Sequence, residues 1–260
     1  MTIHKPNRGL PDQEYESDVS FGYQEVTPEE KDRLVREHFD SIAGKYDIMN
    51  SFLSLGFHHL WKRKAIRTLA PEPGWLILDA CGGTGDLAVL AADRIGKTGS
   101  IIICDINFAM MEAGKPKILR SPVAGRIAFV QGDAEGFAFR NDSFDAVTVG
   151  FGIRNFTRLE KGLREIYRVL KPKGRFLCLE FSRPTSRFFN ALYDLYSFVW
   201  MPLAGQIFAG TRKAYTYLPE SIRVFPSPDR LIRILEEIGF SRVIHKRLTN
   251  GIASIYLARK

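Results

Sequence analysis

The sequence predicts an α/β fold: an open, mostly parallel sheet of seven strands with helices on both faces and a C-terminal antiparallel hairpin. Three observations predict it. Short β-prone runs alternate with amphipathic, helix-length stretches from Trp75 to Phe181. The first run passes through a glycine turn, Asp79-Ala-Cys-Gly-Gly-Thr-Gly-Asp86, into a helix over residues 87–95. The chain closes with a strand over residues 242–248, a tight Asn250-Gly251 turn and a strand over residues 252–258. The 260 residues suit one large domain, and a hydrophobic content of 45% can fill its core.

Residues 1–26 are polar and aperiodic and read as a flexible arm. Thr27 caps a helix begun by Pro28, and Glu30 completes a capping box. Leu34, Val35, Phe39, Ile42 and Ala43 form its apolar stripe. The following segment mixes large apolar groups with Tyr46, Asp47, Asn50, His58 and His59. It reads either as a lid whose polar groups meet a substrate or as a packing helix with polar caps. Two adjacent histidines lack a third ligand, so no metal is expected.

The glycine turn sits where a parallel sheet binds nucleotide-like ligands, at the carboxyl end of a strand. Gly82, Gly83 and Gly85 let the backbone turn sharply and a ligand lie against it. Gly83-Thr-Gly85-Asp-Leu-Ala88 fits a dinucleotide pattern, but Asp79 stands just before it and would repel pyrophosphate. S-adenosylmethionine has no phosphate, and its sulfonium and amino-acid head tolerate a carboxylate. Asp105 closes the next strand, 26 residues after Asp79, where the ribose-binding acid of such a unit falls.

Asn107 opens the next helix, and Ile127–Gln131 is the third strand. Asp133 and Ala134 come after it, an acid and a small residue suited to flank adenine; Asp133 reads equally as a helix cap. Phe144–Gly150 is the fourth strand and carries Phe151, Gly152, Arg154 and Asn155 at its carboxyl end. A helix over residues 159–170 and a fifth strand over residues 175–181 deliver Glu180 to the same rim. Residues 188–210 break the rhythm with Phe, Leu, Tyr, Trp and Met. On a helix, Phe188, Leu192, Leu195 and Val199 share one face, and Asn190, Asp194 and Ser197 the other. This segment reads as a lid over an apolar pocket, an interfacial segment or a core helix; Asn190, Asp194, Pro202 and Gln206 argue against a membrane span. Ser227 and Gly239 bracket the last helix.

Charge divides the chain. Residues 151–260 hold 20 Lys/Arg against 8 Asp/Glu, and residues 1–150 hold 17 against 21. The basic half suits an anionic surface, lipid or nucleic acid, or is simply solvated. Cys81, Cys104 and Cys178 show neither metal spacing nor a disulfide framework, which predicts a reducing compartment.

Several motifs together resemble the ubiquinone/menaquinone biosynthesis C-methyltransferase family (UbiE/MenG type). They are Lys45-Tyr-Asp-Ile-Met-Asn50, Leu60-Trp-Lys62, residues 79–87, Phe151-Gly-Ile-Arg-Asn155, Leu179-Glu-Phe-Ser182 and Glu220-Ser-Ile222. The resemblance runs from about Phe39 to the C-terminus and implies a Rossmann-like class I methyltransferase. It implies S-adenosylmethionine as cofactor, with contacts from Asp79, Gly83, Thr84, Gly85, Asp105, Asp133 and Ala134 and from backbone at Gly150. Gly150 departs from the pattern, in which Ser or another small residue is frequent. The implied domain covers residues 27–260, with lid helices over residues 27–70 and an apolar substrate cap over about residues 185–225.

The implied reaction is C-methylation of a reduced, prenylated quinone. Demethylmenaquinol is the first reading and a 2-polyprenyl-6-methoxy-1,4-benzoquinol the alternative. Arg154 would stabilise a phenolate, or serve as an ion-pair residue; Asn155 would orient an oxygen. Tyr46, Asp47 and His58 are candidates to accept a proton. The expected partners are the prenylated quinol and the membrane surface, with no nucleic acid; a homo-oligomer stays open. The expected location is cytoplasmic, peripheral at the inner face of the cytoplasmic membrane. An RNA methyltransferase and a non-catalytic subunit of a quinone-synthesis complex are the rival readings.

Overall fold

The computed structural model describes residues 17–200 and 213–260. The expected arm over residues 1–16 and the part of the cap over residues 201–212, with Pro202 and Gln206, lie outside the described residues. So do the side chains of Phe188, Leu192 and Val199.

Seven strands form one sheet: β3 (Leu76–Ala80), β4 (Ser100–Asp105), β5 (Ile127–Gln131), β6 (Phe144–Gly150), β7 (Leu170–Phe181), β8 (Ser241–Leu248) and β9 (Ala253–Arg259). Their order is β5-β4-β3-β6-β7-β9-β8. The first five run parallel, and β9 is antiparallel to both β7 and β8. Chain direction across the sheet reverses beside β3: β4 lies on one side and β6 on the other. A crevice opens at the carboxyl ends of such strands, which is where the glycine turn sits.

Helices α3 (Phe57–Leu69), α4 (Asp86–Ala92) and α5 (Phe108–Leu119) cover one face through Trp61, Ile66, Leu69, Ala88, Ala91 and Ile118. Helix α6 (Leu159–Val169) and the helix over Pro228–Ile238 cover the other through Leu163, Ile166, Leu231 and Leu235. Both faces of the central strands are therefore buried, and β3 is apolar apart from Asp79 because neither face meets water.

Above the crevice lie α1 (Pro28–Ile42) and α2 (Tyr46–Leu53). Thr27 caps α1 by accepting from the Glu30 amide at 3.3 Å. Lys31 is buried and donates to the Phe156 carbonyl at 2.8 Å, which pins α1 to the loop after β6. Two further helices complete the cover, α7 (Arg187–Leu195) and α8 (Lys213–Val224), and α9 is the helix over Pro228–Ile238.

Two expectations need correction. Residues 19–26 are not a loose arm: β1 (Val19–Phe21) and β2 (Gln24–Val26) form an antiparallel hairpin. Three-residue strands are too short to show a period, so only their tertiary contacts reveal them. Phe21 stacks on Tyr217 at 4.3 Å, and the Tyr23 amide donates to Glu220 at 3.4 Å. The cap helix also departs from straight α geometry, because residues Tyr196–Trp200 form a π-helix. Each π turn adds a residue and rotates the rest of the helix, so Ser197 turns inward and is buried rather than sharing an outer polar face with Asn190 and Asp194.

Candidate active site

Two chambers meet under the lid helices. The first is the crevice at the carboxyl ends of β3, β4, β5 and β6. Asp79, Asp105, Asp133, Ala134 and Gly150 line it, together with Gly83 and Thr84 of the glycine turn. The second is a cavity of about 510 Å³ between α1, α2, α3 and the cap. His38, His58, Trp61, Arg154, Phe181 and Tyr196 are among its walls. Phe39, Tyr46 and Phe151 belong to both linings and form the partition.

The crevice is built from held carboxylates. Asp105 accepts from the Gly83 amide and from the Asn107 amide, each at 2.8 Å. Burial nonetheless pushes its carboxyl up, against the pull of those amides. Asp79 is buried and accepts from Thr148 Oγ1 at 2.6 Å and from the Ala88 amide at 3.1 Å. Burial raises it to about 7, with those two hydrogen bonds opposing. Asp133 accepts from the Glu135 amide at 2.8 Å within a turn; no helix follows for it to cap, and its side chain lines the crevice.

The glycines divide the labour. Gly83 takes φ +51° in the turn and faces the crevice. Gly85 does not line it: a Cβ there would lie 2.5 Å from Ile118 and 2.8 Å from Ile103, so Gly85 serves the close packing of α4. Gly150 faces the crevice, and a Cβ there would lie 2.8 Å from Leu87. The tight fit explains why this chain holds glycine at that point. These residues suit S-adenosylmethionine. Asp105 offers acceptors to a ribose diol, Ala134 with Met110 offers an apolar slot to a purine, and the carboxylates favour a cation while disfavouring pyrophosphate.

The apolar chamber holds the reactive candidates. Arg154 Nη1 donates to Glu180 Oε1 at 3.0 Å and to the Phe151 carbonyl, and its guanidinium lies 5.5 Å from the Phe181 ring centre. Glu180 is fully buried and also accepts from the Arg154 and Phe181 amides. The ion-pair reading of Arg154 therefore holds in the fold, while its Nε has no partner among the described residues. Asn155 lines the crevice, not the apolar chamber, and its Oδ1 accepts from Tyr217 Oη at 3.0 Å. His58 is buried, with Nε2 at 3.1 Å from Ser51 Oγ and Nδ1 without a partner among the described residues. Burial, then the Lys62 cation and the neighbouring His59, lower its pKa to about 4.

Asp47 lines neither chamber. It accepts from Thr84 Oγ1 at 2.7 Å and from Lys117 Nζ at 2.8 Å. Lys117 also reaches Asp86 at 2.6 Å, and Asp86 pairs with Lys62 at 2.6 Å. Against the cost of burial, Lys62 and Lys117 hold the Asp86 carboxyl well below the usual range. Asp47 is thus the bridge between the lid and the glycine turn, and Thr84 is engaged by it.

One residue of the chamber escaped the sequence reading. His38 lines the apolar cavity, its ring 4.9 Å from Tyr217 and 5.1 Å from Phe39. Burial and the charge of Arg154 lower its pKa to about 4. Its signal was present: on α1 it stands among Val35, Phe39 and Ile42, a histidine inside an apolar stripe.

This fold and this site have relatives among known proteins. A model of the ubiE/COQ5 methyltransferase family matches residues 26–260. The ubiquinone/menaquinone biosynthesis C-methyltransferase UbiE of Pseudomonas putida (strain GB-1) is 44% identical over 241 residues, 93% of this chain and 94% of that protein. Among solved structures, a SAM dependent methyltransferase from Aquifex aeolicus superposes with a TM-score of 0.55 at 13% identity, covering 90% of this chain and 98% of that one. The [4+2]-cyclase SpnF superposes with a TM-score of 0.63 at 14% identity, covering 87% and 94%. The fold is shared across different chemistries, so the structural neighbours speak to architecture alone.

Proposed function

The chain belongs to the ubiE/COQ5 methyltransferase family and uses S-adenosylmethionine, and from that premise we propose that it C-methylates demethylmenaquinol, a reduced quinone with a prenyl tail. The observation that carries this reading is the apolar chamber of about 510 Å³ sharing the wall Phe39, Tyr46 and Phe151 with the cofactor crevice. A prenylated ring needs such a room, since each CH₂ taken from water contributes about 0.8 kcal/mol. The stacked pair Phe151 and Phe181, 4.3 Å apart, favours a flat bicyclic ring beside it.

The bound cofactor supplies an electrophilic methyl group. The chain supplies the rest. The apolar walls exclude water, which strengthens every charge inside. A ring carbon becomes nucleophilic when the neighbouring hydroxyl gives up its proton. The neutral imidazole of His38 accepts that proton: the O–H bond breaks, an N–H bond forms, and the oxygen's electron pair delocalises into the ring. Arg154, always cationic, stabilises the oxyanion. After methyl transfer the ring-carbon proton passes to the neutral imidazole of His58 as the C–H electron pair restores the aromatic ring, and His38 returns its proton to the oxygen. Asn155, with Oδ1 held by Tyr217, has its amide NH₂ left to orient groups at the junction. His58 is a second neutral acceptor in the chamber, and Tyr46 on the partition positions the ring edge.

The exposed rim of the chamber supports a peripheral membrane location, on the cytoplasmic side for this pathway. Leu55, Phe57, Phe189, Leu195 and Trp200 line the cavity and are themselves exposed. No helix among the described residues is long and apolar enough to cross a membrane. The decisive test is transfer of labelled methyl to chemically reduced demethylmenaquinol, with the 2-polyprenyl-6-methoxy-1,4-benzoquinol and RNA assayed alongside. Label on the naphthoquinol ring carbon supports the proposal; label only on the benzoquinol or on RNA overturns it.

A further inference from the structure

A third cavity lies away from both chambers, between α3 and α4. It measures about 220 Å³ and is lined by Arg63, Ile66, Arg67, Leu90, Asp93 and Arg94. Three guanidiniums thus face one cleft with a floor of Ile66 and Leu90. None of the three makes an ion pair or side-chain hydrogen bond among the described residues. Asp93 shares the cleft, yet it too pairs with none of them. Arg154, Arg168 and Arg175, by contrast, are each paired, to Glu180, Glu165 and Glu72. Asp93 offsets part of the charge of the three arginines, and the net positive charge that remains attracts an anion into the cleft. Arginine's planar fork suits the oxygens of a phosphate.

The position of the cleft names the source of the phosphate. On α3, Leu60, Arg63, Lys64 and Arg67 are exposed and recur at helical spacing, so they form one outward stripe. Phe57 and Leu60, 43% and 57% exposed, stand at its start. Leu55 at 80% and Ile48 at 72% extend the apolar end, and Leu55 and Phe57 are also walls of the apolar chamber. The stripe therefore runs from a bare apolar rim at the chamber mouth to a cationic cleft. At about 1.5 Å per residue, Arg63 and Arg67 stand roughly 5 to 10 Å along the helix from Leu60. That span is comparable to the roughly 5–10 Å to which interfacial helices sink into the headgroup and acyl boundary.

We propose that the cleft of Arg63, Arg67 and Arg94 binds the phosphate of an anionic phospholipid headgroup and seats the chamber mouth on the lipid surface. The proposal rests on the prenylated-quinol reading, because such a substrate resides in lipid and must enter through that mouth. A nucleic-acid surface would set aromatic side chains among the arginines to stack bases; the cleft offers Ile66 and Leu90 instead.

The test is co-sedimentation of the full chain with phosphatidylglycerol-containing vesicles and with phosphatidylcholine vesicles. The wild type is expected to prefer the anionic vesicles. Arg63→Gln, Arg67→Gln and Arg94→Gln combined should weaken that binding about 100-fold, at roughly fivefold per basic side chain. A charge-matched control, Arg233→Gln, Arg242→Gln and Lys246→Gln on the far edge, should lose much less. Methylation of a water-soluble quinol with a truncated tail should be unchanged in both variants. Equal loss in the two triple variants, or none in the first, overturns the site. Displacement of the wild type from vesicles by millimolar inorganic phosphate, or equally tight RNA binding at the same salt, overturns the lipid assignment. If the truncated quinol is not methylated even by the wild type, the proposed reaction fails while the vesicle result still judges the cleft.

Discussion

The crevice at the strand ends and the chamber beneath the lid touch at Phe39, Tyr46 and Phe151, yet they handle charge in opposite ways. The crevice holds acids. Asp105 and Asp79 are fixed by backbone amides and by Thr148, on strands whose positions the whole sheet dictates. The chamber holds bases and one cation. His38 and His58 are kept neutral by burial, and Arg154 is balanced from behind by Glu180. The proposed reaction puts a cationic cofactor in the first room and a developing oxyanion in the second. Positive charge on one side of the partition and negative charge on the other is the electrostatic arrangement that methyl transfer to carbon requires.

This contrast breaks most visibly at Arg154. Arg154→Ala leaves Glu180 buried without its partner, and a loss of about 3–5 kcal/mol in unfolding free energy is expected. Adding Glu180→Gln should restore a large part of it. Chemical denaturation reads both, and wild-type stability in the single variant would refute the buried pair. Cofactor affinity, measured on the folded fraction, should change little, because Arg154 lines only the apolar chamber.

His38→Gln tests the base. Turnover should fall about 100-fold with little change in cofactor affinity. The wild-type rate should hold as pH falls through 6.5 and decline only near the lowered value of about 4. An acid limb at 6.5 that persists in the variant would assign the proton elsewhere.

In the crevice, Asp105→Asn should weaken cofactor binding about tenfold while turnover at saturation stays close to wild type. Isothermal titration distinguishes this from a loss of fold. The smallest effect expected concerns Asp79. Its carboxyl sits at about 7, so it is half protonated at neutral pH. A bound cation favours the carboxylate, so affinity should rise as pH climbs through about 7, with protons released on binding. Asp79→Asn should flatten that dependence; an unchanged slope would place the linkage on another group.

The two rooms differed in how far the sequence revealed them. The crevice was legible because its parts are local. A β-prone run, glycines at fixed spacing and Asp105 after the next strand are all set by one βαβ unit. Gly85 marks the limit of that local signal: spacing marks the turn but not which glycine faces inward and which faces Ile118. The chamber is non-local. Tyr217 reaches Asn155 from 62 positions away, and Tyr196 donates to the Leu53 carbonyl across 143. No window of sequence contains such pairs. His38 hid inside an apolar stripe, and the Asp47–Thr84 bond joins a helix to a turn 37 residues on. The hairpin over residues 19–26 was invisible because its strands are held by Tyr217 and Glu220 rather than by any period of their own.

The bridge at Asp47 has a consequence in time rather than in affinity. One carboxylate ties α2 to both the glycine turn and Lys117. Lifting α2 from the glycine turn breaks both bonds at once, so a lid motion at this point carries its own waiting period. Quinols diffuse within lipid and arrive at intervals the enzyme does not control. A long dwell keeps the protein loaded between arrivals, and each encounter then meets a methyl donor already in place.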